Sequence, residues 1–141
     1  MSATVDDALF AILNADADVL ALVGPSPCRA YANLAPENPT FPLVVYRHFG
    51  GSGVASMQGQ SGLRRVSIDF ECWADKPSKA LEIAQAVLMA FDEWNGYQAE
   101  VAAGNVKLNS VLFAGEAQDY DDTHGVHAMT YSFDVMYNEA V

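Results

Sequence analysis

Apolar residues at Val5, Leu9, Ile12 and Leu13, with Ala8 beside them, recur at the spacing of one helix face. Thr4 can cap that helix, and Asp6 and Asp7 suit the positive end of its dipole. The pattern continues through ADADVLALVG, with a break predicted near Asn14 to Asp18 and a stop at Gly24–Pro25. PSPCRAYANLAPENPTFP holds five of the six prolines and reads as a connector, with one short strand at Cys28 to Tyr31.

The period then changes from helical to alternating. LVVYRHF, Leu43 to Phe49, is rich in β-branched and aromatic residues. In LRRVSIDFECWA, Val66, Ile68, Phe70 and Cys72 point one way, and Arg65, Ser67, Asp69, Glu71 and Trp73 the other. A hairpin of these two strands is the economical arrangement. Its tip would be the glycine-rich GGSGVASMQGQSG, Gly50 to Gly62, which predicts a flexible loop. DKPSKALEIAQAVLMAFDEWNG is a helix with Pro77 in its first turn and an apolar face of Leu81, Ala84, Val87, Leu88, Phe91 and Trp94. NVKLNSVLFAG predicts a strand, EAQDYDDTHG an acidic turn, and VHAMTYSFDVMYN a final alternating strand. The order predicts an α+β fold: one domain over residues 1–141, a mainly antiparallel sheet, and two main helices packed on one face.

Charge narrows the function. A formal net charge of −11 sets seven Lys and Arg against eighteen Asp and Glu, and Lys107 is the sole basic residue beyond residue 80. Grip on a nucleic-acid backbone draws on Lys and Arg, so DNA or RNA binding is not expected, nor is adhesion to anionic lipid. No apolar run reaches the roughly 18 residues of a membrane span. The N-terminus has no basic region ahead of its apolar residues, which predicts a cytoplasmic start rather than secretion. Cys28 and Cys72, 44 residues apart, form neither a zinc signature nor a disulfide framework and read as reduced and structural.

Candidate chemistry is sparse. The glycine-rich stretch leads into a strand rather than a helix and has no GK[ST] triplet, so it does not read as a phosphate loop. Gly50, Gly51, Ser52, Gly53, Met57, Gln58, Gly59 and Gly62 read instead as an assembly loop, with Met57 and Gln58 as adaptable contacts. His124 and His127 beside Asp119, Asp121 and Asp122 raise a metal-dependent hydrolase as the alternative from another class. Against it, a His-x-x-His crossing from turn to strand does not place both rings on one face, and the bland reading is a solvated acidic turn. No serine sits in a nucleophile elbow and neither cysteine has an adjacent histidine, so no catalytic residue and no cofactor are expected. Arg64, Arg65, Asp69, Glu71 and Trp73 are interface candidates, with coverage of that face by the N-terminal helix or the proline-rich segment as the competing reading.

The segments DADVLALVG, RAYANLAPENPTFPLVVYRHFGG and LRRVSIDFECWADKPSKALEIAQAVLMAF, in this order, resemble the tail completion family of tailed phages. That family is similar to the tail terminators of long-tailed phages and gene transfer agents. The likeness runs from about Val5 to Tyr137, strongest in FPLVVY and VSIDFECWADKPSKALEIAQAV. It implies a structural protein assembled in the host cytoplasm and carried in the particle's tail. It would form a ring, typically a hexamer, on the end of the tail tube, stopping polymerisation and presenting a surface to the head-side connector or neck protein. Gly50–Gly62 would be an arm toward tube or neighbour, and Leu63–Ala74 part of a shared sheet. DNA would pass without specific binding, with Asp119, Asp121 and Asp122 as candidates for the lumen wall. Another neck or head–tail connector component is the nearest alternative.

Overall fold

The computed structural model describes residues 5–24, 28–37, 39–56, 59–92, 99–100, 107–123 and 125–138. Helices α1 (Val5–Ala15) and α2 (Ala17–Val23) are followed by strands β1 (Ala30–Ala32), β2 (Leu43–Ser56) and β3 (Gly59–Ala74). Helix α3 (Pro77–Asp92) and strands β4 (Ala99–Glu100), β5 (Lys107–Asp121) and β6 (Val126–Asn138) complete the chain.

The break between α1 and α2 has a local cause. Asp16 is extended, and its carboxylate accepts from the backbone N–H groups of Asp18 and Val19 at 3.0 and 3.1 Å, so it caps a new helix instead of continuing the old one. At the other end of α2, the Gly24 N–H donates to the Leu20 carbonyl, and a Cβ at Gly24 would collide with that same group. The connector is then tied back twice. The Asn14 side-chain oxygen accepts from the Cys28 N–H at 3.0 Å, and the Arg29 guanidinium donates to the carbonyls of Gly24 (2.9 Å) and Pro42 (2.8 Å).

The sheet order is β1-β2-β3-β6-β5-β4, antiparallel throughout except for β1, which lies parallel to β2. Alternation assigns its two faces. Val44, Tyr46, Val66, Ile68, Phe70, Cys72, Met129, Tyr131, Phe133 and Val135 form the first face, packed against Leu9, Leu13, Val19, Val23, Ile83, Val87 and Phe91 of the helices. Phe70 stands at the centre, its ring 5.2 Å from Phe91, 5.5 Å from Phe133 and 5.9 Å from Tyr46. The fold is α+β with helices on one face, as the segment order predicts; the helical layer holds three helices because Asp16 divides the first.

Two extents differ from the sequence reading. Residues 50–62 are not a loop of that length: β2 and β3 stay paired through Ser52–Arg65, Gly53–Arg64, Ala55–Gln60 and Ser56–Gly59, with irregularities after Phe49 and Gly53. Backbone ladder bonds need no side chains, so a strongly nucleated hairpin carries its pairing through glycine and serine. Likewise Glu116–Asp121 is strand rather than turn, paired residue by residue with Tyr131 back to Val126. The reversal is confined to the residues after Asp121. There the Gly125 N–H, at φ 64°, donates to the Asp121 carbonyl, and the Thr123 N–H to the Asp121 carboxylate.

Candidate functional site

No described helix packs on the second face of the sheet. Its rows run across the strands as Leu43–Trp73–Ala128–Asp119, Val45–Glu71–Thr130–Ala117, Arg47–Asp69–Ser132–Gly115 and Phe49–Ser67–Asp134–Leu112. Among the residues whose side chains are described, five carboxylates (Asp69, Glu71, Asp119, Asp121 and Asp134) therefore share a face with two guanidiniums, those of Arg47 and Arg65. The polar groups are partly tied together. Arg47 lies 3.5 Å from Glu71, the Trp73 indole N–H donates to Glu71 at 3.3 Å, and the Ser67 hydroxyl bonds Asp134 at 3.1 Å.

The interface candidates thus separate. Arg65, Asp69, Glu71 and Trp73 lie together on this face, and of Arg64 the structure describes the backbone, in register with Gly53 and Tyr137. Trp73 is half-buried, and it lines a hollow of about 200 Å³ with Leu34, Pro36, Pro39, Phe41, Leu43 and Val45. The proline-rich segment therefore borders Trp73, which stays partly exposed. Leu43, Val45, Val126 and Ala128 are buried on the same face, a second small apolar cluster apart from the main core. Pro36 and Pro39 of the connector border this hollow, a placement that spacing did not reveal; the signal available was FPLVV, where inward residues fall on both parities.

The lumen candidates also have definite places. Asp119 and Asp121 stand on the second face in β5, and Asp122 is exposed in the turn after it. His127 pairs across to Tyr120, with ring centroids 4.7 Å apart, on the first face. Alternation therefore aims His127 and the two strand aspartates to opposite sides of the sheet, which does not make a shared ligand set. Among the described residues no group of three or more His, Cys, Asp or Glu is placed to hold a metal ion; His124, like Met57 and Gln58, lies outside them. Both thiols are buried, and desolvation raises their pKa, that of Cys72 far above the usual thiol range. Such thiols are inert as nucleophiles.

Two strands of the sheet, β2 and β5, lack a described neighbour over part of their outer length, which sequence reading did not single out. Asn33, in the left-handed region at φ 69°, ends β1 after Ala32, so no described strand covers β2 beyond Tyr46. On the far side β4 pairs only with Lys107 and Leu108, and no described strand covers β5 from Ser110 to Asp121. Phe49 on the first edge and Leu112, Phe113 and Tyr120 on the second are large apolar or aromatic side chains left about half-exposed.

The described residues thus present buried thiols, a charged sheet face and strand edges with half-exposed apolar side chains. The chain belongs to the tail completion protein gp17 family, whose sequence model matches residues 7–138. A comparison with curated proteins finds no match. Among solved structures, a chain from the virion of a native gene transfer agent particle is similar in fold. It aligns with a TM-score of 0.65 at 17% identity, covering 94% of this chain and 92% of the other.

Proposed function

We propose that this protein closes the end of a phage-type tail tube: copies of it, six in the assembled tail, form a ring that stops addition of tube subunits and offers its outer rim to the head-side connector. The observation that carries this reading is membership of the tail completion family across residues 7–138, nearly the whole chain. The fold likeness to a chain of a gene transfer agent virion, over almost the full length of both chains, is consistent with a place in a tailed particle.

The physical mechanism is association without bond chemistry. A contact between unlike surfaces of identical chains closes when its rotation divides a full turn, and a closed ring cannot propagate as the tube does. In this ring the second face of the sheet, with its five carboxylates against two guanidiniums, lines the passage. A wall of that sign repels the DNA duplex and releases no counterions to hold it, so DNA slides through without being retained. The glycine-rich hairpin arm reaches toward the tube or the neighbouring copy.

The test is a particle-producing strain lacking this protein. Tail tubes of uncontrolled length with no heads attached are the expected result; tubes of normal length joined to heads would overturn the proposal. For the lumen, the purified protein should show no measurable retention of duplex DNA at low salt, and tight binding there would refute the assignment of the wall.

A further inference from the structure

We infer that the hollow between the proline-rich connector and the second face of the sheet receives an arginine of a partner protein, its aliphatic stem on the apolar wall and its guanidinium among the carboxylates of the rim. The inference goes beyond the ring reading and stands independently of it, since it concerns a contact with a different protein, whatever the number of copies in a ring.

The hollow has two chemically distinct parts. Leu34, Phe41, Val45 and Trp73 supply an apolar wall, and Glu37, Glu71 and Asp121 stand around it with Arg47. Among the described lining residues, three carboxylates thus face one guanidinium. Such a cavity suits an amphipathic side chain, which buries its methylenes and keeps its charge at the polar end. Anions, nucleic acid among them, are repelled from the same rim. A wholly apolar occupant would leave the excess of carboxylates without a counterpart.

The rim already seats one group of the kind assigned. Arg47 places its guanidinium 3.5 Å from Glu71, and its Nε–H donates to the Asn33 carbonyl at 3.2 Å. The same Glu71 accepts from the Trp73 indole N–H at 3.3 Å, which ties the aromatic wall to the ionic rim. A planar guanidinium packs against an indole and bonds a carboxylate through two N–H groups at once, which an ammonium does less well.

Size and surroundings point to a polypeptide partner. At about 200 Å³ the hollow is smaller than the roughly 300–1,000 Å³ of small-molecule pockets and matches a single inserted side chain. Leu34, 76% exposed, and the exposed Pro36 continue its apolar lining outward. An apolar residue next to the arginine in the partner covers them, as the residues around an interface anchor do. The net charge of −11 favours a basic partner over a second copy of this chain.

The experiment titrates the full-length, isotope-labelled protein with a blocked leucine–arginine dipeptide and with its leucine–citrulline counterpart, which keeps the shape without the charge, followed by NMR. The arginine peptide should shift the indole N–H signal of Trp73 and the amides of Leu34, Val45 and Glu71, and bind at least about fivefold more tightly than the citrulline peptide. Glu37→Gln, at an exposed position, should weaken the arginine peptide at least about twofold and leave the citrulline peptide unchanged. Equal binding of the two peptides would overturn the arginine in favour of an apolar occupant. Shifts spread over Glu116, Asp119 and Asp134 without Trp73 would overturn the site, because they report a diffuse cation atmosphere on an acidic surface. In particles that carry the protein, a photo-cross-linking residue in place of Leu34 should join it to an arginine-containing peptide of another protein; a cross-link only to a second copy, or none, would overturn the partner assigned.

Discussion

Replacing Phe70 with alanine tests whether the first face of the sheet is the stability core on which the exposed edges depend. Phe70 is fully buried in β3, with three aromatic neighbours at 5.2, 5.5 and 5.9 Å. Removing a buried Phe side chain costs about 3–5 kcal/mol through lost transfer energy and the cavity left behind. Each ring pair adds about 0.5–1.5 kcal/mol beyond burial, which puts this site in the upper half of that range. A domain's whole stability is about 5–15 kcal/mol, so the loss is a large share of it. Calorimetry should show a fall in Tm of roughly 10–15 °C, at 2–4 °C or somewhat more per kcal/mol for a chain of this size. Urea unfolding should show a lower midpoint with the same slope, because the surface exposed on unfolding hardly changes. The control is Phe113→Ala. That ring touches Tyr131 and Phe133 at 5.0 and 5.8 Å but is 47% exposed, so it should cost no more than about 1 kcal/mol. Equal losses in the two variants would refute the assignment of core and edge.

Asp16→Ala removes the cap that starts α2 and should cost about 1 kcal/mol by urea unfolding, with Asp16→Asn costing much less. Gly125→Ala places a side chain at φ 64° in the β5–β6 turn and should destabilise by about 1–2 kcal/mol, read by the same assay. Arg47→Ala should cost under about 1 kcal/mol, since its partner Glu71 is only partly sheltered and the arginine side chain is 42% exposed. Burial holds the Cys72 thiol protonated far above neutral pH, so a thiol reagent at pH 8 should modify it only at the rate of unfolding; rapid native-state labelling would contradict its placement.

The parts legible in the sequence are those where one side chain pattern decides the structure alone. The alternation from Val66 to Cys72 fixes which face of β3 is buried, and Pro77 through Phe91 gives α3 its start and its apolar stripe. The break at Asp16 was also readable, because a short acidic side chain between two apolar runs favours a cap over a helix interior. What stayed hidden depends on partners distant in sequence. The glycine-rich residues 50–56 and 59–62 become strand through pairing with each other, and Glu116–Asp121 through pairing with β6; neither has a strand signature of its own. The parallel docking of β1 on β2 rests on Arg29 reaching Gly24 and Pro42, a tertiary tie that no local pattern encodes. The same limit hid which strands end the sheet: its order, β1-β2-β3-β6-β5-β4, is a property of topology.

Leu63 is the first β3 residue with a β6 partner; before it, Gly59 and Gln60 pair with Ser56 and Ala55 of β2, and no other described strand pairs there. The described end of the hairpin is thus a two-stranded ribbon, in which each residue adds ~3.3 Å of length. A ribbon of two strands keeps its length but twists more readily than a wide sheet. It therefore behaves as a spacer stiff in tension and soft in torsion. A surface turned by some degrees around the arm can still be met, whereas one set several ångströms too near or too far cannot.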